Sequence, residues 1–159
     1  MLEKKVKYRM KIVSACWLGI NCNWAGKNSL NKRLFEEFKD GQLFPVCPEI
    51  LAGMSIPRSR AEIRGGSGSD VLEGKARVIN LADNDVTDQF INGAKNVLRI
   101  AEGIGAKEAI LKAKSPSCGY GQQFDGTFSQ TLTKGDGVTV ALLRKNGIKI
   151  RREEELIVA

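Results

Sequence analysis

The key to the architecture is the segment Lys11-Ile-Val-Ser-Ala15, which runs directly into Cys16. A short apolar run that contains β-branched residues favours a buried strand. The same arrangement returns at Leu43-Phe-Pro-Val46, which ends at Cys47. The sequence therefore predicts two buried strands that each end at a cysteine.

A third strand of this kind, residues 108–113, leads through a short loop to Cys118. Apolar residues recur at helical spacing over 30–39 and over 88–103, so an amphipathic helix is predicted in each interval. A last helix over 137–146 precedes a strand at 148–150. This alternation predicts an α/β fold of the Rossmann-like kind, with a small, mostly parallel sheet flanked by helices.

The middle of the chain departs from the alternation. Residues 49–63 are interpreted as an irregular excursion, and residues 64–70 as a loop rich in glycine and serine. A strand at 77–79 then predicts a short β-hairpin or flap inserted into the domain. We also expect Arg58 and Glu62 to form an ion pair that braces the excursion.

Size and composition exclude several classes of protein. The 159 residues, 42% hydrophobic and 27% charged, predict a single globular domain over 1–159. The apolar runs are too short to span a bilayer and the N-terminus does not resemble a secretory signal, so we expect a cytoplasmic protein. The net charge of +7 is spread along the chain. It favours a solvated basic surface over a nucleic-acid-binding module.

The chain has four cysteines and no histidine. Cytosolic thiols are kept reduced, so structural disulfides are not expected. The absence of histidine excludes the Ser-His-Asp and Cys-His nucleophile systems. Chemistry in this protein must therefore use thiolates, carboxylates, hydroxyls, lysines or a cofactor.

Cys16, Cys47 and Cys118 each follow a predicted strand. The carboxyl ends of parallel strands share one edge of the sheet, where ligands bind, so we expect these cysteines to meet there. Three thiolates suit either catalytic zinc with an open position or a [4Fe–4S] cluster with one free iron. Burial as small apolar side chains is the alternative. Cys22, six residues after Cys16, is a fourth candidate ligand that would close the site, but we expect it instead to be buried beside the other three.

Two residues near the cysteines are candidates for acid–base chemistry. Glu49 lies two residues after Cys47, and Ser115 lies three residues before Cys118. A carboxyl group near a metal can carry protons. The structural alternatives are a surface carboxylate for Glu49 and a turn residue before Pro116 for Ser115.

Several motifs, in one order along the chain, resemble a widespread microbial family that was long catalogued as a domain of unknown function and is linked to 2-thiouracil desulfidase activity. They are Val13-Ser-Ala-Cys-Trp-Leu-Gly19, Cys22-Asn-Trp-Ala-Gly26, Pro45-Val-Cys-Pro-Glu49, Pro57-Arg58, Ala61-Glu62, Lys114-Ser-Pro-Ser-Cys-Gly119, Asp125-Gly-Thr-Phe128 and Gly135-Asp-Gly-Val-Thr139. The resemblance extends over nearly the whole chain.

The resemblance implies a [4Fe–4S] cluster on Cys16, Cys47 and Cys118. Its fourth iron would bind the sulfur of a thiolated pyrimidine base or nucleoside, and water would replace that sulfur to give uracil and hydrogen sulfide. It also implies catalytic roles for Glu49 and Ser115. Two rival hypotheses remain at this point: a non-enzymatic metal or cluster protein for redox sensing or electron transfer, and a module that acts on thiolated RNA.

Overall fold

The computed structural model describes residues 9–152, which contain five α-helices and eight strands. In chain order they are β1 (Lys11–Ser14), α1 (Lys32–Lys39), β2 (Leu43–Val46), α2 (Pro48–Leu51), β3 (Ala61–Arg64), α3 (Gly68–Leu72), β4 (Arg77–Asn80), α4 (Thr87–Ile104), β5 (Glu108–Ile110), β6 (Gln122–Phe124), β7 (Leu132–Lys134), α5 (Val138–Lys145) and β8 (Lys149–Arg151).

The central sheet has four strands in the order β2-β1-β5-β8, and all neighbours are parallel. Ile12 in β1 is aligned with Phe44 on one side and with Ala109 on the other. Ile12 and Ala109 are completely buried. All four strands therefore point their carboxyl ends to one edge, and the predicted α/β fold is confirmed.

Helix α4 packs its apolar face on the rest of the protein, where Phe90, Ala94 and Val97 are buried. The helix begins one residue earlier than predicted, at Thr87. The Thr87 hydroxyl accepts the amide of Val78 in β4 (2.9 Å), so the threonine connects α4 to the inserted strands.

The predicted hairpin insertion is confirmed, and it contains more regular structure than expected. Strands β3 and β4 pair in antiparallel register from Ala61–Asn80 to Arg64–Arg77. The interpretation of 64–70 as a loop was wrong at its end, because Ser67 and Asp70 form a capping box that starts α3. Likewise, α2 begins the segment expected to be irregular. Helices of four or five residues are too short to show a 3.6-residue period.

A second antiparallel pair, β6–β7, lies within the glycine-rich segment after Cys118. At the outer edge of the parallel sheet, Arg151 in β8 donates hydrogen bonds to Glu108 in β5 (2.9 and 3.2 Å). These bonds lower the pKa of the Glu108 carboxyl, an effect that partial burial opposes. No helix in the described part of the chain is long and apolar enough to cross a bilayer.

Candidate active site

A cavity of about 520 Å³ lies at the carboxyl edge of the parallel sheet. All four cysteines of the chain, Cys16, Cys22, Cys47 and Cys118, are free thiols on its wall. The sheet thus brings to one cavity the three cysteines predicted as ligands, although 102 positions separate the first from the last (118 − 16). Cys22, expected beside the site, is buried on the same wall.

Each predicted ligand is positioned by a short turn that follows a strand. Cys16 lies in a single 3₁₀ turn, Ala15–Leu18, directly after β1. Cys47 follows β2 and is the N-cap residue of α2, with Pro48 as the first helical residue. Proline is favoured at that position because an amide proton there would have no acceptor within the helix, so nothing is lost when proline lacks it. The backbone therefore turns away from the sheet at both cysteines.

Cys118 is held by a turn that Ser115 organises. The Ser115 hydroxyl oxygen accepts the amides of Ser117 (3.1 Å) and Cys118 (3.2 Å). The buried Ser117 hydroxyl is bonded to that of Thr139 at the start of α5 (2.6 Å). Ser115 lies on the cavity wall as well, so the structural alternative and the proximity expected for a catalytic role coexist in one residue.

A close approach of backbones also fixes this turn. A Cβ at Gly119 would lie 2.5 Å from the Ser115 carbonyl oxygen, closer than real Cβ contacts allow. Gly137 lies equally tight against the Ser117 carbonyl. Only glycine fits either place. The close contact at Gly119 explains why the motif around Cys118 ends in glycine.

Cys22 and Cys47 interact directly. The Cys22 thiol hydrogen-bonds to the Cys47 sulfur, which raises the pKa of Cys22 and lowers the pKa of Cys47. The Cys47 sulfur also lies 3.6 Å from the Cys22 carbonyl oxygen. Cys22 is 3% exposed. It is therefore a buried neighbour of a predicted ligand.

Burial raises the pKa of Cys16 and raises that of Cys118 well above the ordinary value. The Lys112 ammonium opposes this effect at Cys16. The Lys112 amine also donates to the Ser29 hydroxyl (2.8 Å). Because their pKa values are raised, these buried thiols keep their protons in the absence of a metal. Metal binds the thiolate, so a bound metal or cluster would replace those protons.

Glu49 points its carboxylate at the cysteines. Its Oε2 lies 3.4 Å from the Cys47 sulfur and 3.8 Å from the Arg58 guanidinium. The Glu49 and Arg58 side chains are 12% and 10% exposed. Arg58 also donates to the Cys22 carbonyl (2.9 Å), so it connects the acid to the loop that carries Cys22.

The expected ion pair between Arg58 and Glu62 was wrong. The Arg58 guanidinium pairs with Glu49, whereas Glu62 accepts the backbone amides of Gly126 and Phe128 in the loop after β6. The expected pair joined residues four positions apart, whereas the actual partner of Arg58 is nine positions away and belongs to α2.

One group of wall residues was not anticipated as a unit. The Arg60 guanidinium lies 5.6 Å from the centre of the Trp24 ring and 6.0 Å from that of Phe124. Cations over aromatic faces at such distances are attracted by the ring quadrupole. All three residues line the cavity, and they come from three different loops or strands that no spacing in the sequence connects.

The donor set is soft and consists of sulfur. Within residues 9–152, no three carboxylates, thiols or imidazoles are grouped tightly enough for a single metal ion. The thiols are distributed around the cavity wall. An iron–sulfur cluster takes its thiolates at separate irons, so donors arranged around a space of this size fit such a group.

The comparisons with known proteins agree with this geometry. The family model described as 2-thiouracil desulfurase matches residues 12–155. The chain is 41% identical over 147 residues to the uncharacterized protein YbbK of Bacillus subtilis (strain 168), covering 92% of this chain and 97% of YbbK.

A solved structure, that of the [4Fe-4S]-dependent thiouracil desulfidase TudS, superposes with a TM-score of 0.83 at 34% identity and covers 93% of each chain. The family model and the match to YbbK each cover more than nine-tenths of this chain. The chain therefore belongs to the 2-thiouracil desulfurase family.

Proposed function

We propose that this protein is an iron–sulfur-dependent desulfidase that removes sulfur from a 2-thiouracil-like base by hydrolysis. The net reaction exchanges a C=S bond for a C=O bond, consumes water and yields hydrogen sulfide, with no change in substrate oxidation state. The observation that supports it most is the convergence of Cys16, Cys47 and Cys118 with Glu49 and Ser115 on one cavity.

In this proposal Cys16, Cys47 and Cys118 hold a [4Fe–4S] cluster. A cluster held by three protein thiolates would supply a Lewis-acidic iron that polarises a sulfur atom without the help of histidine. Cys22 stays outside the ligand set as the hydrogen-bond partner of Cys47.

Glu49 is the proton carrier of the proposal. Its carboxylate reaches the Cys47 sulfur at 3.4 Å, so it lies at the cavity wall where water and sulfide exchange protons. Arg58 orients it from the other side. General acid–base groups must first lie within reach of the reacting atoms, and the place of Glu49 on the cavity wall supports this role.

Ser115 orients the substrate. Its oxygen already accepts two backbone amides, which leaves its hydroxyl proton available for an acceptor in the cavity. Pyrimidines offer ring nitrogen and carbonyl acceptors. Apolar side chains of Met54, Phe90 and Phe124 share the cavity and can flank a flat ring.

The test is anaerobic purification or reconstitution, followed by iron and sulfide analysis and an assay of sulfide and uracil formed from 2-thiouracil. We expect about four irons per chain and stoichiometric products. The variants Cys16→Ser, Cys47→Ser and Cys118→Ser should each lose iron and activity. Zinc in place of iron, or an iron-loaded protein that releases no sulfide, would overturn the proposal.

Variants at Glu49 and Ser115 distinguish an enzyme from an electron carrier. Glu49→Gln and Ser115→Ala should both keep the cluster absorbance and lose turnover. For Glu49→Gln we expect turnover to fall by about a hundredfold or more. Normal sulfide release by both variants would remove their assigned roles. For the RNA hypothesis, binding of thiolated RNA should depend steeply on salt, and weak binding that is insensitive to salt would dismiss it.

A further inference from the structure

We propose that Glu62 is a positioning residue: its buried carboxylate docks the loop between β6 and β7 on β3 and thereby fixes one wall of the substrate cavity. The identity of the substrate in this inference rests on the proposed function. Glu62 does not line the cavity, so it acts through the loop.

The contact between Glu62 and the loop is buried and specific. Glu62 is 2% exposed, and its Oε1 accepts the backbone amides of Gly126 (3.0 Å) and Phe128 (3.1 Å). Its Oε2 is buried and has no hydrogen-bond partner among the described residues. Burying a carboxylate is costly, so the two amide bonds are the interactions that make this placement tolerable.

The loop needs an external anchor because its own backbone is strained. Phe128 and Gln130 adopt left-handed φ values of +56° and +61°, which non-glycine residues rarely occupy. Such residues persist when the surrounding structure holds them. The amide that Glu62 binds at Phe128 belongs to one of these two residues.

Gly126 lets the loop approach β3 closely. A Cβ at this position would lie 2.7 Å from the Ile63 carbonyl oxygen and 3.0 Å from the Arg64 Cα. Its φ of +91° also favours glycine. Two features therefore hold the loop on β3: the lack of a side chain at Gly126, and the hydrogen bonds that the Glu62 carboxylate accepts from the loop.

The docked loop reaches the cavity at both of its ends. Phe124, which precedes the loop, and Gln130, near its other end, both line the cavity. Phe124 also contacts the Arg60 guanidinium, two residues before Glu62. If the loop leaves β3, this wall moves, whereas the thiols at the carboxyl edge of the parallel sheet stay in place.

The experiment compares Glu62→Ala with Glu62→Gln in the cluster-loaded protein. We expect Glu62→Ala to raise KM for 2-thiouracil about tenfold with kcat within about twofold, because two buried hydrogen bonds that shape the binding wall are lost. Glu62→Gln keeps a carbonyl acceptor and should restore the KM. Glu73→Ala, which removes only an exposed ion pair with Lys75, should leave KM unchanged.

Two further measurements keep the inference independent of turnover. Hydrogen exchange of the Gly126 and Phe128 amides should accelerate in Glu62→Ala. The Kd of uracil, the product that the enzyme does not consume, should rise about tenfold in equilibrium dialysis because the wall contacts are lost. If Glu62→Ala does not fold, Gly126→Ala takes its place, since its Cβ also prevents docking.

Three results would overturn the inference. One is a fall in kcat without a change in KM, which would give Glu62 a direct chemical role. Another is unchanged amide exchange in Glu62→Ala. The third is a Glu62→Gln variant as impaired as Glu62→Ala, which would mean that the charge matters and not the acceptor. A wild-type protein that binds thiouracil without releasing sulfide would refute the proposed function alone.

Discussion

Arg58 pairs with the Glu49 carboxylate beside the cysteines, and the variant Arg58→Ala tests how much this ion pair stabilises the protein. The guanidinium pairs with Glu49 at 3.8 Å and donates to the Cys22 carbonyl at 2.9 Å, with the two charged side chains only 10% and 12% exposed. Removing one partner of a buried ion pair leaves the other charge uncompensated, which costs about 3–5 kcal/mol. Because 3.8 Å is a long contact, we expect about 3 kcal/mol.

For a chain of 159 residues this loss lowers Tm by about 6–12 °C. The measurement is anaerobic thermal unfolding at equal iron content. Arg77→Ala is the matched control: its ion pair with Asp85 is shorter, at 3.0 Å, but the side chains are 66% and 44% exposed. An exposed pair contributes no more than about 1 kcal/mol, so Tm should fall by less than about 4 °C.

A double-mutant cycle then isolates the Arg58–Glu49 interaction. If the pair is coupled, Glu49→Gln combined with Arg58→Ala should destabilise less than the sum of the single variants, by about 1 kcal/mol or more. Equal Tm losses for Arg58→Ala and Arg77→Ala, or strict additivity in the cycle, would refute the reasoning that burial strengthens this pair.

Three further predictions concern packing, the fourth cysteine and pH. Gly93→Ala should destabilise by about 1–3 kcal/mol in thermal unfolding because its Cβ would collide with the Pro48 carbonyl, while Gly103→Ala on the same helix meets nothing within 4 Å and should stabilise by about 0.5–1 kcal/mol. Cys22→Ser should retain the iron content of the wild type, and a loss of iron would make Cys22 a ligand. The pKa of Glu108 is lowered in the folded state, so its stabilisation is complete above the unfolded pKa of about 4.3 and is lost as pH falls through the folded pKa. Glu108→Gln should therefore show a smaller drop in Tm between about pH 7 and pH 3 than the wild type, and equal drops would count against this ion pair.

The parallel sheet was predictable because its strands are short apolar runs that stop at recognisable residues. The runs before Cys16 and Cys47 were located to within one residue of β1 and β2. Helix α4 was also predicted closely, since 18 residues give five turns of apolar periodicity. In contrast, α2 and α3 span four and five residues, so tertiary contacts and caps determine them.

The partners of Arg58 and Glu62 were not predictable, although both residues stand in motifs of the sequence. An ion pair depends on which side chains face each other across the fold. Helix α2 presents Glu49 to Arg58, and the loop after β6 presents two amides to Glu62. The stack of Trp24, Arg60 and Phe124 arises in the same way from three separate segments.

The succession of strands and helices along the chain, and the position of a cysteine after each of three strands, follow from local residue patterns. Apolar periodicity and turn residues act over a few positions, so they can be read along the chain. The shape of the cavity wall, the close contact of Cys22 with Cys47 and the anchoring of the β6–β7 loop by Glu62 were decided only by tertiary structure. These features are contacts between segments that are distant in sequence, and no local pattern encodes which segments will meet.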